Sequence, residues 1–327
     1  MNAIKQPIRW GIIGCGEVTE VKSGPAYQLT EGFELVAVMR RTEAKAKDYA
    51  QRHQVPKYTS HAEELIHDPE IDAVYIATPP DTHKHFGIQV AEAGKIACIE
   101  KPLAPSYADS LAIVNAFKQN GIPLFVAYYR RSLPRFLKIK EWIESKKIGE
   151  VRHLEWQLCK PPNAIDLSKR YQWRTDAVIA PGGYFDDLAS HGLDFFTYLF
   201  GSVIHASGIS LNQQKLYSAK DAVTGVWQHH NGITGMGNWN FGSANAVDKV
   251  QIFGIKGRIE FSVFEENSLL LEIKGRIETV RIPHPKHVQQ PYVEHIRDHL
   301  FDPNKTHPSL GDSALHTSWV MDQILSI

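Results

Sequence analysis

The sequence predicts two domains: an N-terminal α/β domain built on a doubly wound parallel sheet, and a C-terminal α+β domain built on an antiparallel sheet. Three observations lead to this fold class. Short apolar strands alternate with helical segments through residue 127, a glycine-rich turn follows the first strand, and seven alternating strands fill residues 203–282. We therefore place the domains at residues 1–127 and 128–327.

The N-terminal strands are short, continuous apolar runs, as expected for a sheet that is covered on both faces. Helices are predicted at residues 42–54, 83–93 and 106–119, and the segment between the first two strands is long enough for a crossover helix. Strands that alternate with helices in this way are expected to be parallel. The predicted strands are residues 8–13, 33–39, 72–78, 95–100 and 123–127.

The first strand ends in the glycine-rich segment Gly11-Ile-Ile-Gly14-Cys-Gly16. In a strand–turn–helix unit, Gly14 allows the tight turn and Gly16 lets the backbone approach a pyrophosphate. The third glycine of the dinucleotide-binding fingerprint is replaced by Thr19. In the context of the alternating strands, the turn nevertheless predicts a Rossmann fold that binds a nicotinamide dinucleotide.

The residues after the second strand bear on which dinucleotide is bound. An acidic residue there would accept the ribose hydroxyls of NAD, but this chain has Arg40 and Arg41. Arginine pairs with the 2′-phosphate of NADP, whereas an acid would repel it. We therefore expect NADP(H) to be favoured over NAD(H), although a solvated pair of arginines is the simpler alternative.

The pattern changes after residue 127. An amphipathic helix at 133–146 precedes an alternating strand at 151–159, and a second helix is predicted between the Pro181-Gly-Gly segment and Gly201. Turn residues separate the seven alternating runs that follow, which predicts an antiparallel sheet. Closing helices are expected at 292–301 and 313–327.

The helix that precedes Gly201 carries the most suggestive polar residues of the C-terminal domain. Asp187, His191 and Asp194 are spaced i, i+4 and i+7, so an α-helix places all three on one face. A carboxylate beside a histidine on a mostly apolar helix is costly to bury unless it is paired, which suggests a proton-transfer site. A hydrogen-bonded polar stripe without chemistry is the alternative.

Two further polar segments follow N-terminal strands. Glu100-Lys101-Pro102 lies just past a parallel strand, where open α/β sheets bind ligands, and a lysine there could transfer a proton. Asp81-x-His83-x-His85 resembles a metal-binding motif. The segment also begins a helix, where Asp81 or Thr82 would serve as the N-cap. We expect no metal site.

Composition excludes several classes of function. Lysine plus arginine equals aspartate plus glutamate, 36 of each, so no net charge favours nucleic acid or an anionic membrane. No apolar run approaches the roughly 18 residues that span a bilayer, and the N-terminal apolar segment is too short for a signal peptide. The three scattered cysteines are expected to be free thiols, so we expect a cytoplasmic protein.

Taken in order, these motifs resemble those of the Gfo/Idh/MocA family of glucose–fructose oxidoreductase and inositol dehydrogenase. The resemblance implies a Rossmann domain and an open-faced antiparallel sheet, with assembly into a homodimer or homotetramer through that sheet. It also implies NAD(P)-dependent oxidoreduction of a sugar, polyol or related carbonyl. The matching segments are Gly11 to Gly16, Ala77-Thr78-Pro79, Glu100-Lys101-Pro102, Trp173-Arg174, and Gly182-Gly183 through Asp187 and His191.

The resemblance assigns roles by position. Lys101, Asp187 and His191 are the implied catalytic residues, and Tyr128, Arg174, Asp187 and His191 the implied substrate contacts. The expected cofactor contacts are Gly11, Gly14, Gly16, Glu17, Val18, Arg40, Arg41, Thr78, Pro79, Glu100 and Lys101.

Two other functions remain open on the same scaffold. One is an NAD-dependent glycosidase or lyase whose cofactor is reduced and reoxidised in each cycle; the Arg40-Arg41 pair argues mildly against it. The other is a cofactor-binding regulator without turnover, for which the joint presence of the lysine, acid and histidine would be unnecessary.

Overall fold

The computed structural model describes residues 6–326, which form two compact units. The N-terminal unit comprises residues 6–133 together with Pro285–Leu315, and the C-terminal unit comprises Pro134–His284 together with residues 316–326. The division falls within the last helix, α11 (Gly311–Leu325). No helix within residues 6–326 combines the length and the hydropathy needed to cross a bilayer.

The N-terminal unit contains a six-stranded sheet in which every pair of neighbouring strands is parallel. The strand order is β3-β2-β1-β4-β5-β6, so the chain winds outward in both directions from β1. This order confirms the predicted doubly wound sheet. The strands are β1 (Ile8–Ile13), β2 (Phe33–Met39), β3 (Lys57–Thr59), β4 (Ala73–Ile76), β5 (Ile96–Ile99) and β6 (Leu124–Val126).

Helices cover both faces of this sheet, because successive strand residues belong to two different hydrophobic clusters. Ile76 lies in the cluster that includes residues of α4, α5 and α6, and its neighbour Tyr75 lies in the cluster that includes residues of α2, α3 and α10. The sequences of strands that are buried on both faces are continuous apolar runs. The helices are α1 (Glu17–Val21), α2 (Gly24–Leu29), α3 (Glu43–Arg52), α4 (Ala62–His67), α5 (His83–Glu92), α6 (Tyr107–Asn120) and α10 (Gln290–Phe301).

Residues 285–315 group with the N-terminal unit, although a boundary at residue 127 would separate them from it. Phe125 forms a bridge with Leu310, and Gln289 donates a hydrogen bond to the Glu100 carboxylate at 2.8 Å. These contacts join positions that are nearly 190 residues apart in the sequence.

The C-terminal unit contains an eight-stranded sheet of order β14-β13-β12-β11-β7-β10-β9-β8. The antiparallel pairing predicted for the strands of residues 203–282 is confirmed, and a parallel pair joins β10 to the earlier strand β7. A long helical segment and two strands separate β7 from β10, which allows the crossover that parallel pairing needs. The strands are β7 (Val151–Cys159), β8 (Val203–Leu211), β9 (Ala222–His229), β10 (Thr234–Asn240), β11 (Val247–Gly254), β12 (Gly257–Phe261), β13 (Leu269–Ile273) and β14 (Arg276–Val280).

One face of this sheet packs against helix α9 (Ser190–Phe200). Phe196 of α9 stacks on Trp227 of β9, and a Cβ built on Gly192 would lie 2.3 Å from the Trp156 ring, so α9 approaches the sheet closely. His191, next to Gly192 in this helix, is buried, 5% exposed. The unit also contains α7 (Pro134–Glu144), α8 (Ala164–Leu167) and the C-terminal part of α11.

Candidate functional site

The glycine turn after β1 is shaped for a close backbone approach. Gly14 has φ +92°, a left-handed conformation that favours glycine, and a Cβ there would lie 2.7 Å from Cγ2 of Thr78. Within the described residues, and apart from chain neighbours, the Gly14 carbonyl oxygen is the one atom within 4 Å of a Cβ on Gly16, at 3.7 Å, so the surface beside Gly16 is open. The turn therefore fits the pyrophosphate of a dinucleotide at Gly14 and Gly16.

Gly11 has a different role from the two turn glycines. It lies within β1, and a Cβ there would come within 2.7 Å of Leu65 in α4. Its small size therefore lets α4 pack on the strand. Glu17 and Val18 begin α1 immediately after the turn, with Glu17 exposed and Val18 half-buried.

The departure from the glycine fingerprint at Thr19 is accommodated by hydrogen bonds. The fully buried Thr19 hydroxyl donates to the Gly16 carbonyl at 2.8 Å, and the Tyr49 hydroxyl donates to the Thr19 carbonyl at 2.8 Å. The side chain therefore ties the start of α1 to the turn. The chain then breaks into two short helices, α1 and α2, where the sequence predicts one crossover helix.

Arg40 lies against the glycine turn. The Met39 carbonyl accepts hydrogen bonds from the backbone N–H groups of Gly14 and Cys15, and Nη1 of Arg40 donates to the Cys15 carbonyl at 3.3 Å. Arg40 is half-buried, whereas Arg41 is exposed. The structure thus brings one of the two arginines to the turn.

Glu100, directly after β5, is a buried hydrogen-bond acceptor. Its Oε1 accepts from the Tyr75 hydroxyl at 2.6 Å and from Nε2 of Gln289 at 2.8 Å, and its Oε2 accepts from the Lys101 backbone N–H at 3.2 Å. This arrangement fixes the backbone at Lys101. Sequence reasoning missed Tyr75, which is a hydroxyl in an apolar strand, and Gln289, for which the sequence carries no signal.

Two other predicted contacts in the N-terminal unit differ in their surroundings. Thr78 follows β4, packs on Gly14, and has its hydroxyl 2.6 Å from that of Thr82, which also donates to the Pro79 carbonyl at 2.8 Å. Tyr128 is 1% exposed and belongs to a hydrophobic cluster of the unit, which gives it a packing role.

The predicted single α-helix before Gly201 is wrong in its first turns. Phe185–Ala189 form a π-helical turn, and the α-helix α9 begins only at Ser190. The wider π turn changes the angular spacing between Asp187 and His191, so the argument from α-helical spacing does not hold for that pair. Turns of this kind are frequent at functional sites.

In the C-terminal unit, the Asp187 carboxylate is paired with the Arg174 guanidinium. Nε of Arg174 donates to Oδ2 of Asp187 at 2.8 Å, and the Arg174 guanidinium lies 4.3 Å from the centre of the Trp173 ring. The His191 ring is buried and lies 5.9 Å from that of Phe264, and the fully buried Asp194 accepts a hydrogen bond from the Thr317 hydroxyl at 3.2 Å.

Sequence reasoning missed Asp186. Its Oδ2 accepts a hydrogen bond from the Gly182 N–H at 2.8 Å, and the side chain is buried. Burial, with smaller contributions from the negative charges of Asp322 and Asp187, raises the pKa of Asp186 to about 7. The adjacent pair of acids after two glycines was the available signal.

A second group of polar side chains supports the segment that carries Arg174. The buried Asp166 accepts hydrogen bonds from the Tyr184 hydroxyl and from Nε2 of Gln172, at 2.9 and 2.6 Å. Burial and the Asp166 carboxylate raise the pKa of Tyr184 to about 12, so the hydroxyl remains a donor. This network, also missed from the sequence, fixes the residues on either side of Arg174.

The Asp81-x-His83-x-His85 segment begins α5. Asp81 and His85 are exposed and His83 is fully buried. Across residues 6–326, no group of three or more histidine, cysteine, aspartate or glutamate side chains is arranged to hold a metal ion.

Comparison with known proteins identifies the family of this chain. The family model described as an oxidoreductase family with an NAD-binding Rossmann fold matches residues 8–128, and the C-terminal domain model of the Gfo/Idh/MocA proteins matches residues 136–260. The chain is 40% identical over 316 residues to Oxidoreductase P35 of Formosa agariphila, which covers 96% of this chain and 97% of the relative.

More distant relatives are similar over most of their length. The myo-inositol 2-dehydrogenase of Thermotoga maritima is 27% identical over 271 residues, which covers 81% of this chain and 78% of that protein. A solved levoglucosan dehydrogenase, in complex with NADH and levoglucosan, shares the fold with a TM-score of 0.84 at 22% identity, over 97% of this chain and 96% of that one. This chain therefore belongs to the Gfo/Idh/MocA family of oxidoreductases, and its N-terminal unit is an NAD(P)-binding Rossmann fold.

Proposed function

We propose that the protein is an NAD(P)-dependent dehydrogenase or reductase that interconverts a hydroxyl and a carbonyl group on a sugar, polyol or related small molecule. The observation that carries the proposal is the Asp187 carboxylate, which is held by Arg174 in a π turn directly before the helix that presents His191. The substrate class is supported by the names of two proteins that this chain resembles, an inositol dehydrogenase and a levoglucosan dehydrogenase.

The chemistry is divided between the cofactor and the protein. When bound, the dinucleotide supplies the hydride acceptor or donor. Within the N-terminal unit, Gly14, Gly16 and Thr78 would hold it, and Glu100 fixes the backbone that carries Lys101.

The protein must move the hydroxyl proton of the substrate. His191 is the proposed acid/base, because an imidazole gains and loses a proton near neutral pH. The Asp187 carboxylate would stabilise the protonated imidazole, and Lys101 would polarise the substrate oxygen or share the proton. His191 is 5% exposed, and its burial restricts the motion of its ring, which suits this task.

We further propose that NADP(H) is favoured over NAD(H). Arg40 lies on the glycine turn through its contact with the Cys15 carbonyl, and no acid occupies the position after β2. A guanidinium in this place would pair with a 2′-phosphate.

The test is a screen that follows the absorbance of the reduced nicotinamide, with both cofactors, against sugars, polyols and their keto forms. We expect Lys101→Ala and His191→Ala each to lower turnover about 100-fold. The surface residues Lys84 and His85 provide the matched controls Lys84→Ala and His85→Ala, which should behave as wild type. Wild-type turnover in either site variant would remove that residue from the mechanism.

The same screen separates the two other functions. A glycosidase or lyase with a recycled cofactor would release product from a glycoside without net change in reduced nicotinamide. A regulator would bind the dinucleotide with no turnover of any compound.

We also propose a homodimer or homotetramer that forms through the face of the C-terminal sheet opposite α9. Val226 of β9 pairs with Met236 of β10, both are exposed, and the exposed Ile209 of β8 pairs with the neighbouring Thr224. An exposed apolar patch on the face of a sheet is typical of a protein interface. Light scattering after size exclusion should show an oligomer that Val226→Lys dissociates; a monomeric wild type would contradict the proposal.

A further inference from the structure

His83 joins two loops that leave the carboxyl edge of the parallel sheet. Its Nε2 lies 2.8 Å from the Thr78 carbonyl oxygen, in the loop after β4. Its Nδ1 lies 3.2 Å from the carbonyl oxygens of both Pro102 and Leu103, in the loop after β5. The ring is fully buried, so it meets these groups without competition from solvent.

All three partners of the ring are acceptors, so His83 can meet them only as a donor. A neutral imidazole donates from one nitrogen and a protonated imidazole from both. Donation to both loops at once therefore needs the protonated ring. The charge of Glu100 and the three carbonyl oxygens favour this form, although burial lowers the pKa of His83. Both ring nitrogens of His83 therefore contact backbone carbonyl oxygens, and neither is available to bind a metal ion. This arrangement argues against a metal site at the Asp81-x-His83-x-His85 segment.

Each loop carries a proposed part of the site. The loop after β4 contains Thr78, whose Cγ2 would lie 2.7 Å from a Cβ on Gly14 and therefore packs on the glycine turn. The loop after β5 contains Lys101, bonded through a cis peptide to Pro102, the first of the two residues that His83 contacts there. A buried side chain that ties both loops sets their separation.

We propose that His83 is a positioning residue that sets the dinucleotide-binding loop after β4 and the Lys101 loop after β5 in fixed relation to each other. The proposal rests on the proposed function for Lys101 and goes beyond it, because His83 acts on the two halves of the site through different nitrogens. Loss of the contact with the Thr78 carbonyl should therefore weaken cofactor binding, and loss of the contact with the Pro102 and Leu103 carbonyls should lower turnover.

Two conservative variants separate the contact of His83 with the Thr78 loop from its contact with the Lys101 loop. The amide nitrogen of glutamine is placed as Nε2 of histidine is, so His83→Gln keeps the donor to Thr78 and loses the one to Pro102 and Leu103. The amide nitrogen of asparagine is placed as Nδ1 is, so His83→Asn does the reverse. His83→Leu removes both donors, and the exposed His85→Gln, two residues later in the same helix, is the control.

The experiment measures the Kd for NADPH and NADH by fluorescence, and kcat at saturating cofactor on the best compound from the screen. We expect His83→Gln to lower kcat about 10-fold with Kd within roughly threefold of wild type, because Lys101 is misplaced while Thr78 is held. We expect His83→Asn to raise Kd about 10-fold with kcat within roughly threefold. His83→Leu should show both losses, and His85→Gln neither.

Folding and the proposed function are controlled separately. Circular dichroism and thermal melting show whether each variant is folded, and the comparison of Gln with Asn is made between folded variants. Parallel losses in Kd and kcat for Gln and Asn, or no loss in either, would overturn the inference. A wild-type protein that binds no dinucleotide would overturn the proposed function instead, since that result does not depend on His83.

Discussion

Nε of Arg174 donates a hydrogen bond to Oδ2 of Asp187 at 2.8 Å, and the same guanidinium is stacked on the Trp173 ring. The Arg174 side chain is 41% exposed and that of Asp187 is 17% exposed, so the pair lies at the surface of the unit with the carboxylate turned inward. Such a pair contributes little to stability but fixes the orientation of the carboxylate. Its effect should therefore appear in catalysis.

We predict that Arg174→Ala lowers turnover about 10-fold, while the free energy of unfolding changes by less than about 1 kcal/mol. Arg174→Lys should recover only part of the rate, because an ammonium group does not reproduce the planar stacked guanidinium. Steady-state kinetics and chemical denaturation measure the two effects. The exposed Arg170, four residues earlier, gives the control Arg170→Ala. Equal rates in Arg174→Ala and wild type would show that Asp187 does not need this partner.

The position of Arg40 leads to a prediction about cofactor choice. Because Arg40 contacts the Cys15 carbonyl and Arg41 is exposed, Arg40→Asp should weaken NADPH binding about 10- to 100-fold relative to NADH. Arg41→Asp should change the ratio of the two dissociation constants less. Titration of both variants with both cofactors measures the ratio. Equal weakening of NADPH and NADH by Arg40→Asp would contradict a 2′-phosphate contact.

The parallel sheet could be predicted because its strands are buried on both faces. The sequences of such strands are uninterrupted apolar runs, bounded here by glycine and proline. β1 and β2 have the predicted bounds, residues 8–13 and 33–39. The glycine turn could be predicted because a left-handed residue such as Gly14 is a local requirement. Local chemistry of this kind is visible in a single sequence.

The features that could not be predicted depend on contacts between distant residues. The π turn at Phe185–Ala189 lies where Asp186 bonds back to Gly182 and Phe185 packs on Trp239, which no helical periodicity reveals. The Glu100 partner Gln289 lies 189 positions away. The parallel pairing of β7 with β10 likewise depends on the path of the chain between them.

The buried Asp186 carboxyl leads to a prediction about stability and pH. Its pKa is raised from 3.8 to about 7, so between these values the folded chain holds a proton that the unfolded chain has released. Its contribution to stability is therefore present below about pH 4 and is lost as pH rises towards 7. Asp186→Asn removes this loss, and the difference in melting temperature from wild type should become more positive from pH 4 to pH 8. The exposed Asp81→Asn is the control, and a difference that is constant with pH would contradict the prediction.

His229 leads to the opposite pH dependence. Its Nδ1 donates to the Gly201 carbonyl at 2.8 Å, and its Nε2 accepts from Nε1 of Trp227 at 3.2 Å, an arrangement that only the neutral ring can make. Burial lowers the pKa of His229 from 6.5 to about 4, with smaller contributions from His230 and His316. The unfolded chain takes up that proton as pH falls through 6.5, so the contribution of the neutral ring to stability is complete above this pH and is lost towards pH 4.

We predict that the neutral His229 ring contributes on the order of 3 kcal/mol to the free energy of unfolding at pH 7. This contribution is mostly lost towards pH 4.5, while the contribution of Asp186 changes in the opposite direction. His229→Asn keeps a donor for the Gly201 carbonyl but does not titrate, so it should be less stable than wild type at pH 7.5 and should lose less stability on acidification. Urea denaturation at both pH values, followed by tryptophan fluorescence, measures the difference. The exposed His205→Asn should leave the wild-type slope unchanged. If His229→Asn and wild type lose equal stability between the two pH values, the buried ring is not the group responsible.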